Sequence, residues 1–202
     1  MLSLSLAKPG DTVGKLKLSL MKAARFTVEL SWDTNQDLDA HALLAVNDGN
    51  GAKVSALEQI LSTHNCRKTT PAGILNANPD GSFSTPCGSL THSGDSRSGV
   101  GKDIDECIVI DGAKVPNGIN EIPVFVTIYD AKGTFAGVGH ASITIKDDSG
   151  KVLGEYQLTN EFANFNAVQM GSLMLNSEGG WDYAPVGSGF MGDFNTVLGS
   201  FS

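Results

Sequence analysis

Apolar and polar residues alternate along much of this 202-residue chain, and this period of two constrains the fold more than any other feature. Such alternation places apolar side chains on one face of an extended strand and polar side chains on the other. It recurs in the segments 2–6, 16–20, 26–32, 108–110, 124–128 and 143–145. We therefore predict a half-buried β-strand at each of these places.

Frequent turn signals separate the alternating segments, such as Asn47–Gly51, Asn78–Gly81 and Asp148–Gly150. Many short strands joined by tight turns are typical of a β-sandwich or a β-barrel, so the fold class predicted is all-β. The only helix expected is one short turn within residues 159–165. The length fits a single domain, which we place at residues 1–190, followed by a C-terminal tail at 191–202 that folds back or is loose.

Residues 58–90 are the least regular part of the chain, and we predict a long surface excursion there with at most short strands. The three cysteines, Cys66, Cys87 and Cys107, match no zinc-binding spacing. We expect them to be reduced, partly buried thiols of an intracellular protein. The alternative is a Cys66–Cys87 bridge that closes the loop between them.

The charge and hydropathy of the chain exclude several classes of partner. A net charge of -8 would repel a nucleic-acid backbone, so no nucleic-acid partner is expected. The first six residues alternate and lack the basic start and apolar centre of a signal peptide. No apolar run approaches the roughly 20 residues that a transmembrane helix needs. We therefore expect a cytoplasmic protein without a transmembrane segment.

A first acidic segment runs from Trp32 to His41. Its oxygen-bearing side chains stand at alternate positions: Asp33, Asn35, Asp37 and Asp39. In an extended chain these side chains project from one face, where they would offer a dense set of oxygen ligands. The segment is not an EF-hand loop, because Leu38 stands where that loop requires glycine and Leu44 where it requires the bidentate glutamate.

A second acidic segment runs from His92 to Glu106, and its glycines allow the backbone to turn carbonyl groups inward. Its carboxylates are Asp95, Asp103, Asp105 and Glu106. Carboxylates packed this closely repel one another unless a cation is present, and Ca²⁺ takes six to eight oxygen ligands. A calcium site therefore depends on whether the two segments meet. The alternative is that Ser93 and Asp95 only stabilise turns, while Asp103 and Glu106 are solvated.

The chain carries no catalytic motif. It lacks a P-loop, a dinucleotide-binding fingerprint and a Gly-x-Ser-x-Gly elbow in its strand–turn–helix context. The histidines are scattered through the sequence: His41, His64, His92 and His140. We therefore expect a protein that is not an enzyme.

Short motifs follow one another in a fixed order along almost the whole chain. They are Leu4–Lys8, Trp32–Asp33, Asp37–Ala40, His92–Asp95, Asp105–Glu106, Val126–Ala131, Glu155–Leu158, Gly171–Leu173, Gly180–Trp181 and Val186–Phe190. This ordered set resembles the TerD family of tellurium-resistance and stress proteins.

The resemblance implies a two-sheet antiparallel β-sandwich with long loops and little helix, which binds Ca²⁺ through the two acidic segments. Carried over residue by residue, the implied metal ligands are Asp37, Asp39, Asp95, Asp103, Asp105 and Glu106. It also implies a non-enzymatic binding or scaffold module in resistance to tellurite, phage and other stress, with links to membrane-associated complexes.

The chain departs from the family pattern in two places, and these departures lead to alternative hypotheses about its ion sites and its function. Val100 and Lys102 interrupt a motif that is usually richer in acid, which puts one ion site in doubt. The connection between the two acidic segments is expanded, so we expect a protein partner at the 58–90 region and leave an oligomer open. The alternative function is a structural subunit of a phage particle or another large assembly, with a virion location and calcium optional. A third hypothesis is a hydrolase that uses an ion.

Overall fold

The computed structural model describes residues 18–20, 25–101 and 104–202, and most of its regular structure is strand. The strands are β1 (Leu18–Leu20), β2 (Arg25–Ser31), β3 (Leu38–Leu43), β4 (Val46–Asn47), β5 (Ala52–Lys53), β6 (Ile60–Leu61), β7 (Phe83–Ser84), β8 (Leu90–His92), β9 (Glu106–Asp111), β10 (Glu121–Ile128), β11 (Ser142–Asp147), β12 (Val152–Gln157), β13 (Ala167–Leu175) and β14 (Trp181–Phe190). The α-helices are α1 (Leu158–Glu161) and α2 (Phe194–Leu198), and short 3-10 turns lie at Leu57–Gln59, Thr63–Asn65, Gly112–Lys114, Phe135–Gly137 and Gly199–Phe201.

The described strands form two large antiparallel sheets and a small ribbon made of β4 and β5. The first sheet has the order β1-β14-β13-β10-β3-β6, and the second has the order β12-β11-β2-β9-β8-β7. Neighbouring strands within both sheets pair antiparallel. The predicted all-β, two-sheet antiparallel sandwich is confirmed, and α1 begins one residue before the predicted helical turn.

The alternation seen in the sequence sets which residues fill the space between the sheets. In β2, Phe26, Val28 and Leu30 are buried, while the residues between them are partly exposed. The prediction of a half-buried strand is wrong for β10, which is buried along its whole length. The predicted strand at residues 2–6 lies outside the described residues, and that at 16–20 is described only as β1.

The outer face of β10 is covered because the last residues of the chain fold back over it. Phe194 and Val197 of α2, together with Phe201, are buried in a second apolar cluster that includes Phe125 of β10. The N–H of Val54 donates a hydrogen bond to the carbonyl oxygen of Phe201 (2.7 Å) and fixes the end of the chain. The segment 191–202 therefore packs against the first sheet.

Residues 58–90 carry only the two-residue strands β6 and β7 and the first residue of β8, so the prediction of at most short strands is confirmed. They are not simply a surface excursion, because Leu61, Cys66 and Leu75 are buried in the main core. The three cysteines are free thiols, so the alternative bridge between residues 66 and 87 is not formed. Within the described part of the chain, no helix is long and apolar enough to cross a membrane.

Candidate metal centre

Three carboxylates of the two acidic segments meet where β3 begins. Asp37 precedes β3, Asp39 lies within it, and Asp95 belongs to the loop between β8 and β9. One carboxylate oxygen from each lies within 4.8 Å of the other two. The loops pack directly on each other: Gly99 donates its N–H to the carbonyl of Thr34 (3.1 Å), and a Cβ at Gly99 would lie 2.2 Å from the carbonyl oxygen of Trp32. The two segments therefore meet, which the calcium prediction requires.

Asp39 is the most buried of the three carboxylates, with no exposed surface. Its Oδ1 accepts a hydrogen bond from the Oγ1 of Thr63 (2.6 Å), whereas its Oδ2 has no hydrogen-bond partner among the described residues. Burial, followed by the charge of Glu106, raises the pKa of Asp39 well above its usual range. His64 Nε2 lies 3.8 Å from Oδ2, but burial lowers the pKa of that imidazole, so it supplies little positive charge near neutral pH.

Asp37 is half-buried, and one of its oxygens, Oδ1, lacks a hydrogen-bond partner in the described part of the chain. Burial and then the charges of Asp95 and Glu106 raise the pKa of Asp37 to about 6. Arg97 opposes this effect, and its Nε donates a hydrogen bond to Asp95 Oδ2 (3.2 Å) from a largely exposed position. The carboxylates thus repel one another more than the nearby cationic groups compensate, and a bound cation would relieve that repulsion.

Of the other predicted ligands, the two that the structure describes do not join this group. Asp105 Oδ2 accepts a hydrogen bond from the N–H of Trp32 (2.9 Å). Glu106 is fully buried, and its two oxygens accept hydrogen bonds from the N–H groups of Ala40 (2.8 Å) and Ser96 (3.2 Å). Asp103 lies outside the described residues. Their role as ligands stays a prediction.

The first acidic segment is expected to project four oxygen-bearing side chains from one face: Asp33, Asn35, Asp37 and Asp39. This expectation is wrong for Asp33 and Asn35. Asp33 and Asn35 are exposed, and Asp33 lies outside the carboxylate group. Alternate projection requires an extended backbone, and the strand begins only at Leu38. Conversely, Thr63 and His64 reach the site from the irregular 58–90 region, and no periodicity or motif in the sequence indicates this contact.

The chain is similar to known proteins over almost its whole length. The sequence matches the TerD domain family over residues 6–201. It is 29% identical to the tellurium resistance protein TerD of Serratia marcescens over 214 aligned residues, which cover 99% of this chain and 97% of that protein. It is 28% identical to general stress protein 16U of Bacillus subtilis over 200 residues, or 95% of this chain and 93% of that protein.

Two solved structures share the fold. A Streptomyces coelicolor homologue of the telluride resistance protein TerD gives a TM-score of 0.66 at 20% identity, covering 89% of this chain and 96% of that one. A protein of unknown function gives a TM-score of 0.68 at 19% identity, covering 88% of this chain and 95% of that one.

Proposed function

This chain belongs to the TerD family of tellurium-resistance and stress-response proteins, and from that premise we propose that it is a non-enzymatic calcium-binding module. One observation carries the proposal: the carboxylate of Asp39 is wholly buried, and its Oδ2 has no hydrogen-bond partner among the described residues. Burial without enough compensating partners disfavours the ionised form of this carboxyl group, and a bound cation would favour that form. Asp37 and Asp95 add two further carboxylates beside it, so a divalent cation is the partner that this arrangement favours.

Calcium suits the ligand type and the spacing. Hard cations prefer oxygen ligands, and two ligands on opposite sides of one Ca²⁺ are separated by at most about 4.6–5.2 Å. The oxygens of Asp37, Asp39 and Asp95 lie within 4.8 Å of one another, so no pair of them is too far apart to share one ion. Calcium also accepts backbone carbonyls and water, which would complete its shell beside the ligands predicted in the second segment. Magnesium requires a tighter octahedron and serves as the competing ion in the test.

The wider role is proposed at the level of the family. Relatives that align over nearly their whole length are named for tellurium resistance and general stress, which favours a stress-response module. A cytoplasmic location and a protein partner at residues 58–90 belong to this proposal. The alternative of a subunit of a phage particle or another large assembly stays a prediction, since no particular contact in the described residues favours it.

Calorimetric titration of the metal-free protein with Ca²⁺, alone and against Mg²⁺, tests the proposal. The wild-type protein should bind Ca²⁺, Asp39→Asn should lose most of the affinity, and Asp33→Asn should retain it. The second variant is a matched control, because it removes the same charge from the same segment at an exposed position. Absence of binding by the wild-type protein at millimolar Ca²⁺, or equal loss in both variants, would contradict the proposal.

A further inference from the structure

The fully buried carboxylate of Glu106 connects the two acidic segments. Its Oε2 accepts a hydrogen bond from the N–H of Ala40 (2.8 Å), and its Oε1 accepts one from the N–H of Ser96 (3.2 Å). Ala40 directly follows Asp39, and Ser96 directly follows Asp95. One side chain is therefore bonded to the backbone immediately after a carboxylate of each segment.

A buried imidazole lies against the same carboxylate. The Nδ1 of His92 accepts a hydrogen bond from the N–H of Gly94 (3.0 Å), so the ring carries a proton on Nε2. That nitrogen lies 3.3 Å from Glu106 Oε2, and neither side chain is exposed to solvent. The ring of Phe83 stacks on His92 at a centroid distance of 4.8 Å. The carboxylate thus faces donors from β3, from β8 and from the loop that carries Asp95.

We propose that Glu106 is a positioning residue of the cation site, whose carboxylate sets the separation of Asp39 and Asp95 before an ion binds. The inference rests on the proposed function, because it takes those two side chains as ligands. Hydrogen bonds from backbone N–H groups to an ionised carboxylate are stronger than neutral ones. They hold the Asp95 loop near β3, so less ordering is required when the ion binds.

In the metal-free protein, removing the charge of a positioning carboxylate and removing the charge of an ion ligand should change the melting temperature in opposite directions. Asp37→Asn neutralises one of three repelling carboxylates, so the melting temperature in chelator should rise. Glu106→Gln replaces one acceptor oxygen with an NH₂ group, which leaves a backbone N–H of Ala40 or Ser96 without its acceptor. An unsatisfied buried N–H is destabilising, so this melting temperature should fall.

The decisive experiment measures the melting temperature in chelator and the calcium affinity of Glu106→Gln, with Glu121→Gln as control. Glu121 is also a buried carboxylate, and it accepts hydrogen bonds from Asn47 Nδ2 (2.6 Å) and Ser172 Oγ (2.6 Å), but it lies outside the site. Both variants should melt earlier than the wild-type protein. Only Glu106→Gln should weaken calcium binding, by about tenfold or more, as is typical when residues that orient metal ligands are changed.

A readout of ligand placement separates positioning from a general loss of stability. Asp95→Asn should weaken calcium binding strongly in the wild-type background and much less in the Glu106→Gln background, where Asp95 is no longer held. A rise of the melting temperature of Glu106→Gln in chelator, or a calcium affinity equal to that of Glu121→Gln, would overturn the proposal.

If Glu106→Gln does not fold, amide hydrogen exchange of the wild-type protein tests whether Glu106 or the ion orders the loop that carries Asp95. In chelator, the amides of Ala40 and Ser96 should exchange slowly, while the amide of Val100, in an exposed part of the same loop, exchanges fast. Protection of Ser96 only in the presence of Ca²⁺ would show that the ion orders the loop and would refute the positioning role alone. A wild-type protein that binds no Ca²⁺ would instead refute the proposed function.

Discussion

Replacing Asp37 by asparagine should stabilise the metal-free protein and destabilise the calcium-bound one. Burial and the charges of Asp95 and Glu106 raise the pKa of Asp37 from 3.8 to about 6. The folded state therefore holds the proton more tightly than the unfolded state. The resulting stability is fully present below pH 3.8 and is lost as the pH rises through about 6. Above that pH, the ionised Asp37 destabilises the metal-free fold.

The size of the effect follows from that shift. A rise from 3.8 to about 6 corresponds to about 2 pKa units, or about 3 kcal/mol at 1.36 kcal/mol per unit. Asp37 is only half-buried, so solvent screening reduces this free energy to about 1.5 kcal/mol. In chelator at about pH 8, Asp37→Asn should raise the melting temperature by about 3–6 °C. At about pH 4 the two proteins should melt nearly alike, because the folded wild-type protein is already protonated there.

Circular dichroism melts at these two pH values, in chelator and in saturating Ca²⁺, measure the effect. With Ca²⁺ the order should reverse, because asparagine supplies a neutral ligand in place of a carboxylate. Asp33→Asn removes a charge from the same segment at an exposed position and should change the stability by less than about 0.5 kcal/mol. If Asp37→Asn melts at or below the wild-type temperature in chelator at about pH 8, burial and the neighbouring carboxylates do not destabilise the ionised Asp37 as the structure indicates.

Three further outcomes are expected. Free Ca²⁺ at about 100 times its dissociation constant should raise the free energy of unfolding by about 2.7 kcal/mol, and equal melting midpoints with Ca²⁺ and with chelator would contradict this. Calcium affinity should fall as the pH drops below about 6, because Asp37 must lose its proton to bind the ion; titrations in buffers of different ionisation enthalpy would detect the released proton. Phe194→Ala should lower the free energy of unfolding in urea by about 3–5 kcal/mol, whereas the exposed Met191→Ala should change it by less than about 0.5 kcal/mol.

Periodicity predicts a sandwich correctly because a period of two fixes which face of each strand is apolar, independently of the rest of the chain. It does not predict what covers the other face. Phe125 of β10 is buried together with Phe194, Val197 and Phe201, which follow much later in the chain, and the local pattern around Phe125 contains no sign of that contact. The segment 191–202 folds back through contacts with distant parts of the chain. Local sequence patterns therefore do not distinguish a packed tail from a loose one.

The same limit applies to the candidate metal centre. The types of residue in the two acidic segments predict a group of carboxylates that requires a cation, whereas the choice of Asp37, Asp39 and Asp95 rather than Asp33 comes from the resemblance to the TerD family. The contacts of Glu106 depend on which backbone N–H groups lie opposite its carboxylate, on segments 66 and 10 residues away in sequence. No spacing rule specifies these contacts, so the sequence alone does not distinguish an ion ligand from a side chain that positions ligands.

The site lies between the two sheets, which determines what an ion bound there would stabilise. Asp39 belongs to β3 of the first sheet, whereas Asp95 belongs to the loop between β8 and β9 of the second. The Glu106 carboxylate spans the same gap, because it starts β9 and bonds the backbone of Ala40 in β3. An ion shared by Asp39 and Asp95 would thus join the sheets beside a link that the protein already makes. Calcium would then oppose separation of the sheets, and its effect should extend to global unfolding as well as to the order of the acidic loop.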